Sequence, residues 1–307
     1  MLPTLAIHGG AGLIRRASLS AERERQCRRA LDDALDAGCA VLDADGSAME
    51  AVIAAVVSME DDPVFNAGHG AVIAADGSFE LDAAVMCGKS RQAGAVTGVR
   101  TTRSPVSLAR AVLDHTAHVF FAGPGADHLA QELQLEQVDP SFFSTQSRRD
   151  QFERLRGTRI FDLDHGGASK DVYGTVGAVA CDQQGHLAAA TSTGGMVNKR
   201  PGRVGDTPVI GAGTFAWDQT AAVSMTGHGE PCLLLGAAGR VSALMELLGL
   251  DLEAACDRVI HQDLPSVQGL GGLIAVDALG NVCMPFNTGG MFRAARCSDG
   301  VRTIEIW

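Results

Sequence analysis

The sequence predicts an α+β fold in which two mainly antiparallel sheets lie between layers of helices. Three observations carry this. Short apolar runs recur in pairs around tight turns, which marks hairpins rather than the alternating strand–helix units of a parallel sheet. Segments with three- and four-residue apolar spacing occur in both halves of the chain, as amphipathic helices require. A charged, irregular stretch over about 140–170 separates the halves and reads as an exposed connector. The 307 residues suffice for a large core, in one big domain or two smaller ones.

In chain order, Leu5-Ala6-Ile7-His8 is a short strand running into Gly9-Gly10-Ala11-Gly12, a turn open only to small residues. Residues 20–40 form a helix with Leu31, Ala34, Leu35 and Cys39 on one face. Ser47 and Glu50 have capping-box spacing and start a second helix, which Asp61-Asp62-Pro63 ends. A glycine-rich loop, 65–70, follows. Segments 71–75 and 79–86 flank Asp76-Gly77 and predict a hairpin. Ser104-Pro105 opens a helix over about 105–117, Val119-Phe120-Phe121 is a brief strand, and 126–136 is helical. After the connector, 175–181 pairs with 186–191, and 208–216 with 221–226. Helices over 231–247 and 251–261 precede a third hairpin, 273–276 with 281–284.

Composition excludes several function classes. The chain is 46% hydrophobic and 20% charged, as folded globular domains are, and its net charge of −11 argues against nucleic acid, which would need a basic stripe. No apolar run is expected to span a membrane, and Met1–Leu5 lacks a basic, apolar leader. The eight cysteines are scattered without a Cys-x-x-Cys pair, which predicts reduced, mostly buried thiols in a cytoplasmic protein rather than zinc or disulfides. His115, His118 and His128 lack metal-helix spacing, and Gly123-Pro124-Gly125 lacks the phosphate-binding lysine.

The most informative residue is Thr175, in Gly174-Thr175-Val176-Gly177-Ala178-Val179. An interior threonine has no base to take its hydroxyl proton. A threonine at a chain terminus carries its own, the α-amine. Gly174–Thr175 is therefore a candidate scission point. Downstream, Thr193-Gly194-Gly195 and Thr226-Gly227-His228-Gly229 follow strands and offer hydroxyls and free N–H groups suited to an oxyanion. Arg203 can grip a carboxylate with two bonds, and Asp206, three residues on, can hold an ammonium. Together they suit an α-amino acid. Each feature alone has an ordinary reading, as a strand residue or a solvated pair.

Six segments then occur in order along nearly the whole chain: Ile7–Gly12, Asn66–Gly70, Gly174–Val179, Thr191–Met196, Pro201–Asp206 and Pro285–Thr288. Together the sequence resembles the plant-type asparaginase and isoaspartyl peptidase family of N-terminal nucleophile hydrolases. The resemblance implies an αββα sandwich in a single domain, 1–307. It implies self-cleavage into 1–174 and 175–307, and a homodimer of cleaved protomers, (αβ)2. Thr175 matches the nucleophile and Thr193 its hydroxyl partner. Thr226 and Gly227 match the oxyanion hole. Arg203 matches the α-carboxylate clamp, Asp206 and Gly229 the α-amine contacts, and Asn66 a residue beside the nucleophile. Carbonyls of Met59, Glu60, Asp62, Phe65, Ala67 and His69 match a loop holding a structural sodium ion. The implied reaction is hydrolysis of β-aspartyl dipeptides and L-asparagine without a catalytic cofactor.

Rival expectations are a glycosylasparaginase, which needs room for a sugar, a taspase-like endopeptidase, and an uncut relative that only binds amino acids. His228, between two glycines of the presumed active loop, is expected to face solvent.

Overall fold

The structure, a computed structural model, describes residues 3–16, 19–158 and 174–307. In the first part the strands are β1 (Thr4–Gly12), β2 (Leu81–Cys87), β3 (Ala93–Val99) and β4 (Phe120–Ala122). The second part supplies β5 (Val176–Cys181), β6 (Leu187–Thr193), β7 (Thr214–Ala216) and β8 (Ala221–Gly227). It ends with β9 (Gly271–Asp277), β10 (Val282–Cys283), β11 (Gly290–Arg296) and β12 (Arg302–Glu305). They form an eight-stranded sheet, β12-β11-β1-β5-β6-β2-β3-β4, and a four-stranded sheet, β10-β9-β8-β7. Pairing is antiparallel except between β3 and β4.

Helices α1 (Ala21–Asp43), α2 (Ala48–Asp61), α3 (Pro105–His115), α4 (Pro124–Glu132) and α5 (Gln146–Leu155) belong to the first part. Helices α6 (Gly229–Leu235), α7 (Ala237–Leu248) and α8 (Leu252–Arg258) belong to the second. Local chemistry starts them. Ser20, Ser47 and Ser104 each accept a backbone N–H at a helix start, and Glu50 closes the capping box with Ser47.

Three buried apolar clusters define four layers. Leu31, Leu35, Val52 and Val56 of α1 and α2 pack with Ile7 and Val85 of the large sheet. Ala6, Val179, Ala189 and Met291 of the large sheet meet Ala222 and Ile274 of the small one. Met225 and Leu273 of the small sheet meet Val241 of α7 and Leu252 of α8. Period-two alternation does the sorting: on β5, Val176, Ala178 and Ala180 face the helices while Val179 and Cys181 face the other sheet. Fully buried Leu31 and Leu35 each contribute about 1.5–3 kcal/mol by leaving water. This is the αββα sandwich the sequence led us to expect.

Several details differ from the sequence reading. β1 runs on through Gly9-Gly10 to Gly12 by means of a bulge between His8 and Gly10, rather than turning there. Residues 71–75 are not a strand. The Asp76-Gly77 turn exists, but the backbone before it bonds to the 196–199 loop, Asn198 N–H to Ile73 O at 2.8 Å and Ala75 N–H to Lys199 O at 2.8 Å. Of 208–216 only Thr214–Ala216 is strand. Part of the expected connector is ordered structure: a 3-10 turn, Pro140–Phe143, and α5, capped by Thr145 and anchored by buried Phe143, Phe152 and Leu155. The remainder of the connector, 159–173, lies outside the described residues.

Gly229–Leu248 has the length and mean hydropathy, 1.4, of a membrane span, contrary to the sequence reading. It is two helices, α6 and α7, broken at left-handed Gly236 (φ 60°) and packed on the small sheet through Cys232, Ala237 and Val241. The expected 251–261 helix is present and runs on: α8 passes at Arg258 into a π-helical turn, Val259–Asp263, and a last α turn, Leu264–Ser266.

Candidate active site

Adjacent strands bring two predicted hydroxyls together. Thr175 immediately precedes β5, and Thr193 ends β6, its neighbour. The Thr175 hydroxyl donates to Thr193 Oγ1 at 3.2 Å, and the Gly195 N–H donates to the same oxygen at 3.0 Å. Both threonines are buried.

The residue before Thr175 is held by the β1 bulge. Gly10 has φ +112°, and a Cβ on it would lie 2.4 Å from the Gly174 nitrogen. Only glycine allows that approach. From the small sheet, Thr226 at the end of β8 accepts the Ala11 N–H at 3.2 Å. A Cβ on Gly174 would stand 3.2 Å from that Thr226 hydroxyl oxygen. Gly227, φ +113°, packs on Gly271 where a Cβ would come within 2.4 Å of its Cα.

Arg203 and Asp206 converge on Gly229 at the start of α6. A Cβ there would lie 2.9 Å from both Arg203 Nη2 and Asp206 Oδ1. A positive and a negative group thus face one small opening. Burial pushes the Asp206 carboxyl up to about 6, with Arg203 among the opposing influences. One cleft is lined by Thr175, Thr193, Arg203, Asp206, Gly227 and Gly229, and Gly174 forms part of its wall.

Thr226 and Asn66 stand behind this lining. Asn66 donates to Gly195 O at 2.7 Å and accepts the Val72 N–H at 3.0 Å. It braces the turn after Thr193 rather than reaching into the cleft. His228 departs from the expectation of a solvent-facing ring. It is half-buried, lines a neighbouring cavity of about 410 Å³ with Arg203 and Glu230, and has Nε2 3.5 Å from Glu230 Oε2. Burial pulls its pKa below the usual value.

The loop after α2 carries the carbonyls that the sequence reading assigned to sodium. A Cβ on Gly70 would lie 2.6 Å from Phe65 O and 2.9 Å from Pro63 O, so these carbonyls converge. His69 N–H bonds Glu60 O at 2.7 Å and Phe65 N–H bonds Asp62 O at 3.3 Å, which curls the loop. The Glu60 carboxyl faces elsewhere, to Ser104, Ser192 and the Val106 N–H. Neutral carbonyl oxygens suit a weakly charged, hard ion. Among the described residues no group of three or more His, Cys, Asp or Glu side chains could hold a metal. The eight cysteines form no disulfide.

Sequence reasoning missed three groups. Glu230 forms a two-point bond with Arg203. Burial works to raise its carboxyl, but the Arg203 bond and charge prevail and hold it below the usual range. Lys199 is buried, with Nζ 2.8 Å from Glu80 O. His8 touches Thr175 from behind. For His8 the signal was present: a polar ring in an apolar strand invites a search for its partner.

A sandwich of two sheets between helix layers is the architecture of N-terminal nucleophile hydrolases, and Thr175 stands immediately before one of its central strands. Residues 1–306 match the Asparaginase_2 model, described as asparaginase. The chain is 50% identical to an isoaspartyl peptidase of Salmonella typhimurium, with 99% of this chain and 98% of that protein covered. It is 49% identical to an isoaspartyl peptidase of Escherichia coli, with 99% and 95% covered. A plant-type L-asparaginase of Pyrobaculum calidifontis is 42% identical, with 95% and 96% covered. The chain belongs to this asparaginase and isoaspartyl peptidase family of hydrolases.

Proposed function

We propose that this chain is a self-cleaving threonine amidohydrolase that releases L-aspartate from β-aspartyl dipeptides and from L-asparagine. The observation that carries the reading is the Thr175–Thr193 hydroxyl pair, 3.2 Å apart, in a cleft whose other wall presents Arg203 and Asp206. The names of the relatives support the same substrates.

In the precursor, the Thr175 hydroxyl adds to the Gly174 carbonyl. The C–N bond breaks, the acyl group moves to oxygen, and water cleaves the ester. Residues 1–174 then end in a carboxylate and 175–307 begin with an amine. Because Gly174 lines the cleft, its departure makes room for substrate. In the mature enzyme the amine accepts the hydroxyl proton, directly or through water, and the oxygen attacks the substrate's β-carbonyl. The Thr226 hydroxyl, which Gly174 covers until it leaves, and Gly227 stabilise the oxyanion, worth about 3–4 kcal/mol per donor in comparable sites. Arg203 takes the α-carboxylate, while Asp206 and the Gly229 region take the α-amine. The Thr175 ammonium returns that proton to the leaving nitrogen as ammonia or an amino acid departs, and water resolves the acyl-enzyme. The 410 Å³ cavity beside Arg203 accommodates a leaving amino acid.

Met59, Glu60, Asp62, Phe65, Ala67 and His69 would hold sodium through their carbonyls, stiffening the loop that carries Asn66. The mature enzyme is read as an (αβ)2 dimer of cleaved protomers in the cytoplasm, with small-molecule substrates as its partners.

The test is Thr175→Ala. The variant is expected to run as one uncut chain on a denaturing gel and to release neither ammonia from L-asparagine nor amino acid from a β-aspartyl dipeptide. An active, uncut variant would overturn the reading.

A further inference from the structure

His8 lies on β1, fully buried, beside the strand that Thr175 opens. Both ring nitrogens have partners: Nδ1 is 3.0 Å from the Thr175 carbonyl oxygen and Nε2 is 2.9 Å from Ser224 Oγ. A carbonyl only accepts, so Nδ1 carries the hydrogen. Burial drives the ring down to about 3 against the opposing pull of the Thr175 carbonyl, so it is neutral near pH 7. Nε2 is then bare and accepts the Ser224 hydroxyl.

The chain of donors continues. Ser224 Oγ is 2.8 Å from Thr191 Oγ1, and the Thr214 hydroxyl donates to Thr191 Oγ1 at 2.7 Å. With Ser224 committed to His8, Thr191 donates to Ser224. The donors therefore all point toward Thr175. The chain also crosses the sandwich at each step: His8 and Thr191 belong to the large sheet, Ser224 and Thr214 to the small one. Gly177 keeps the path open. A Cβ there would lie 2.0 Å from Ser224 Oγ and 2.5 Å from His8 Nε2.

We infer that His8 is a positioning residue for the nucleophile, holding the Thr175 carbonyl while the Ser224–Thr191–Thr214 hydroxyls fix its tautomer. The inference rests on Thr175 being the nucleophile. Scission frees Thr175 on its amino side. Its amine and side chain then turn about the Cα–C bond unless the carbonyl at the far end is held. His8 holds it without touching substrate.

The experiment compares His8→Gln, His8→Asn and Ser224→Ala in the self-cleaved enzyme. Turnover of a β-aspartyl dipeptide is expressed per mole of amino-terminal Thr175, so slow scission does not enter. Asparagine places an N–H near the ring Nδ1 position, whereas glutamine reaches toward Nε2. His8→Gln is expected to lose kcat by at least about tenfold with KM nearly unchanged, and His8→Asn to recover most of the loss. A His8→Gln kcat within about twofold of the parent, or no recovery with asparagine, overturns the inference. If melting curves show that neither His8 variant folds, Ser224→Ala decides: a several-fold fall in kcat at constant KM supports the role, and an unchanged kcat removes it. Thr175→Ala is run alongside; turnover by that variant would bring down the nucleophile reading itself, whatever the His8 variants show.

Discussion

Arg203 holds Glu230 by two parallel bonds, Nε to Oε1 at 2.9 Å and Nη2 to Oε2 at 2.8 Å. This is the fork-to-fork geometry by which arginine would hold a substrate carboxylate. Glu230 thus occupies the position proposed for the α-carboxylate. Its side chain is half-exposed, so the pair is worth only about 0–1 kcal/mol. Substrate can displace it, at a cost in affinity. Glu230→Gln removes the competing charge and keeps the size. We expect KM for a β-aspartyl dipeptide to fall up to about fivefold with kcat unchanged. Steady-state kinetics checks this; a raised KM would make Glu230 a support for Arg203 instead. Arg203→Ala should raise KM steeply in the same assay.

Asp206 gives a pH dependence. Its carboxyl titrates near 6 because burial disfavours its charge. Only the ionised form attracts the substrate ammonium, so KM should rise as pH falls through about 6. For stability the sign is the reverse. A raised folded-state pKa gives a stabilising contribution that is present below the unfolded value and lost as pH rises through about 6. Asp206→Asn should therefore flatten the KM profile below pH 7. KM measured from pH 5 to 8 for parent and variant tests the assignment.

The β1 bulge predicts a defect in scission. Gly10→Ala places a methyl 2.4 Å from the Gly174 nitrogen and strains a residue at φ +112°. Backbone cannot yield as a flexible side chain does. We expect largely uncut protein on a denaturing gel, at a cost of about 1–3 kcal/mol in stability. Normal scission by this variant would show that Gly174 does not need the bulge.

The architecture was legible in the sequence where one strong local rule acted. Ser47 and Glu50 announced α2, and Asp182–Gly185 announced the β5–β6 hairpin. β3, β11 and β12 were not recognised. β3 (AGAVTGV) is rich in alanine and glycine, which carry little strand preference, and the buried positions of its neighbours, not its own residues, select the strand. The 71–75 segment failed for the same reason in reverse: it has strand composition, but the 196–199 loop takes its hydrogen bonds. At the site, the positions of Arg203 and Asp206 were marked by residue type and spacing. The Glu230 bond, by contrast, joins groups 27 residues apart in sequence, and the His8 bond joins groups 167 apart. Such partners arise only from tertiary pairing, the β1–β5 ladder for His8 and the approach of α6 to the Arg203 loop for Glu230.

Thr193 offers the most direct measure of what the nucleophile's neighbour contributes. Its Oγ1 receives two hydrogens, from the Thr175 hydroxyl and the Gly195 N–H. Thr193→Val keeps the branched shape on β6 and removes the acceptor. The Thr175 hydroxyl then loses the bond that orients it, and the Gly195 N–H loses its partner, a cost of about 1–3 kcal/mol. Substrate is held elsewhere, by Arg203 and Asp206. We therefore expect kcat to fall about 10²-fold with KM little changed, while Thr193→Ser, which restores the oxygen, recovers most of the rate. A loss confined to KM would place Thr193 on the substrate instead of on the nucleophile, and equal losses in both variants would trace the effect to packing against β5.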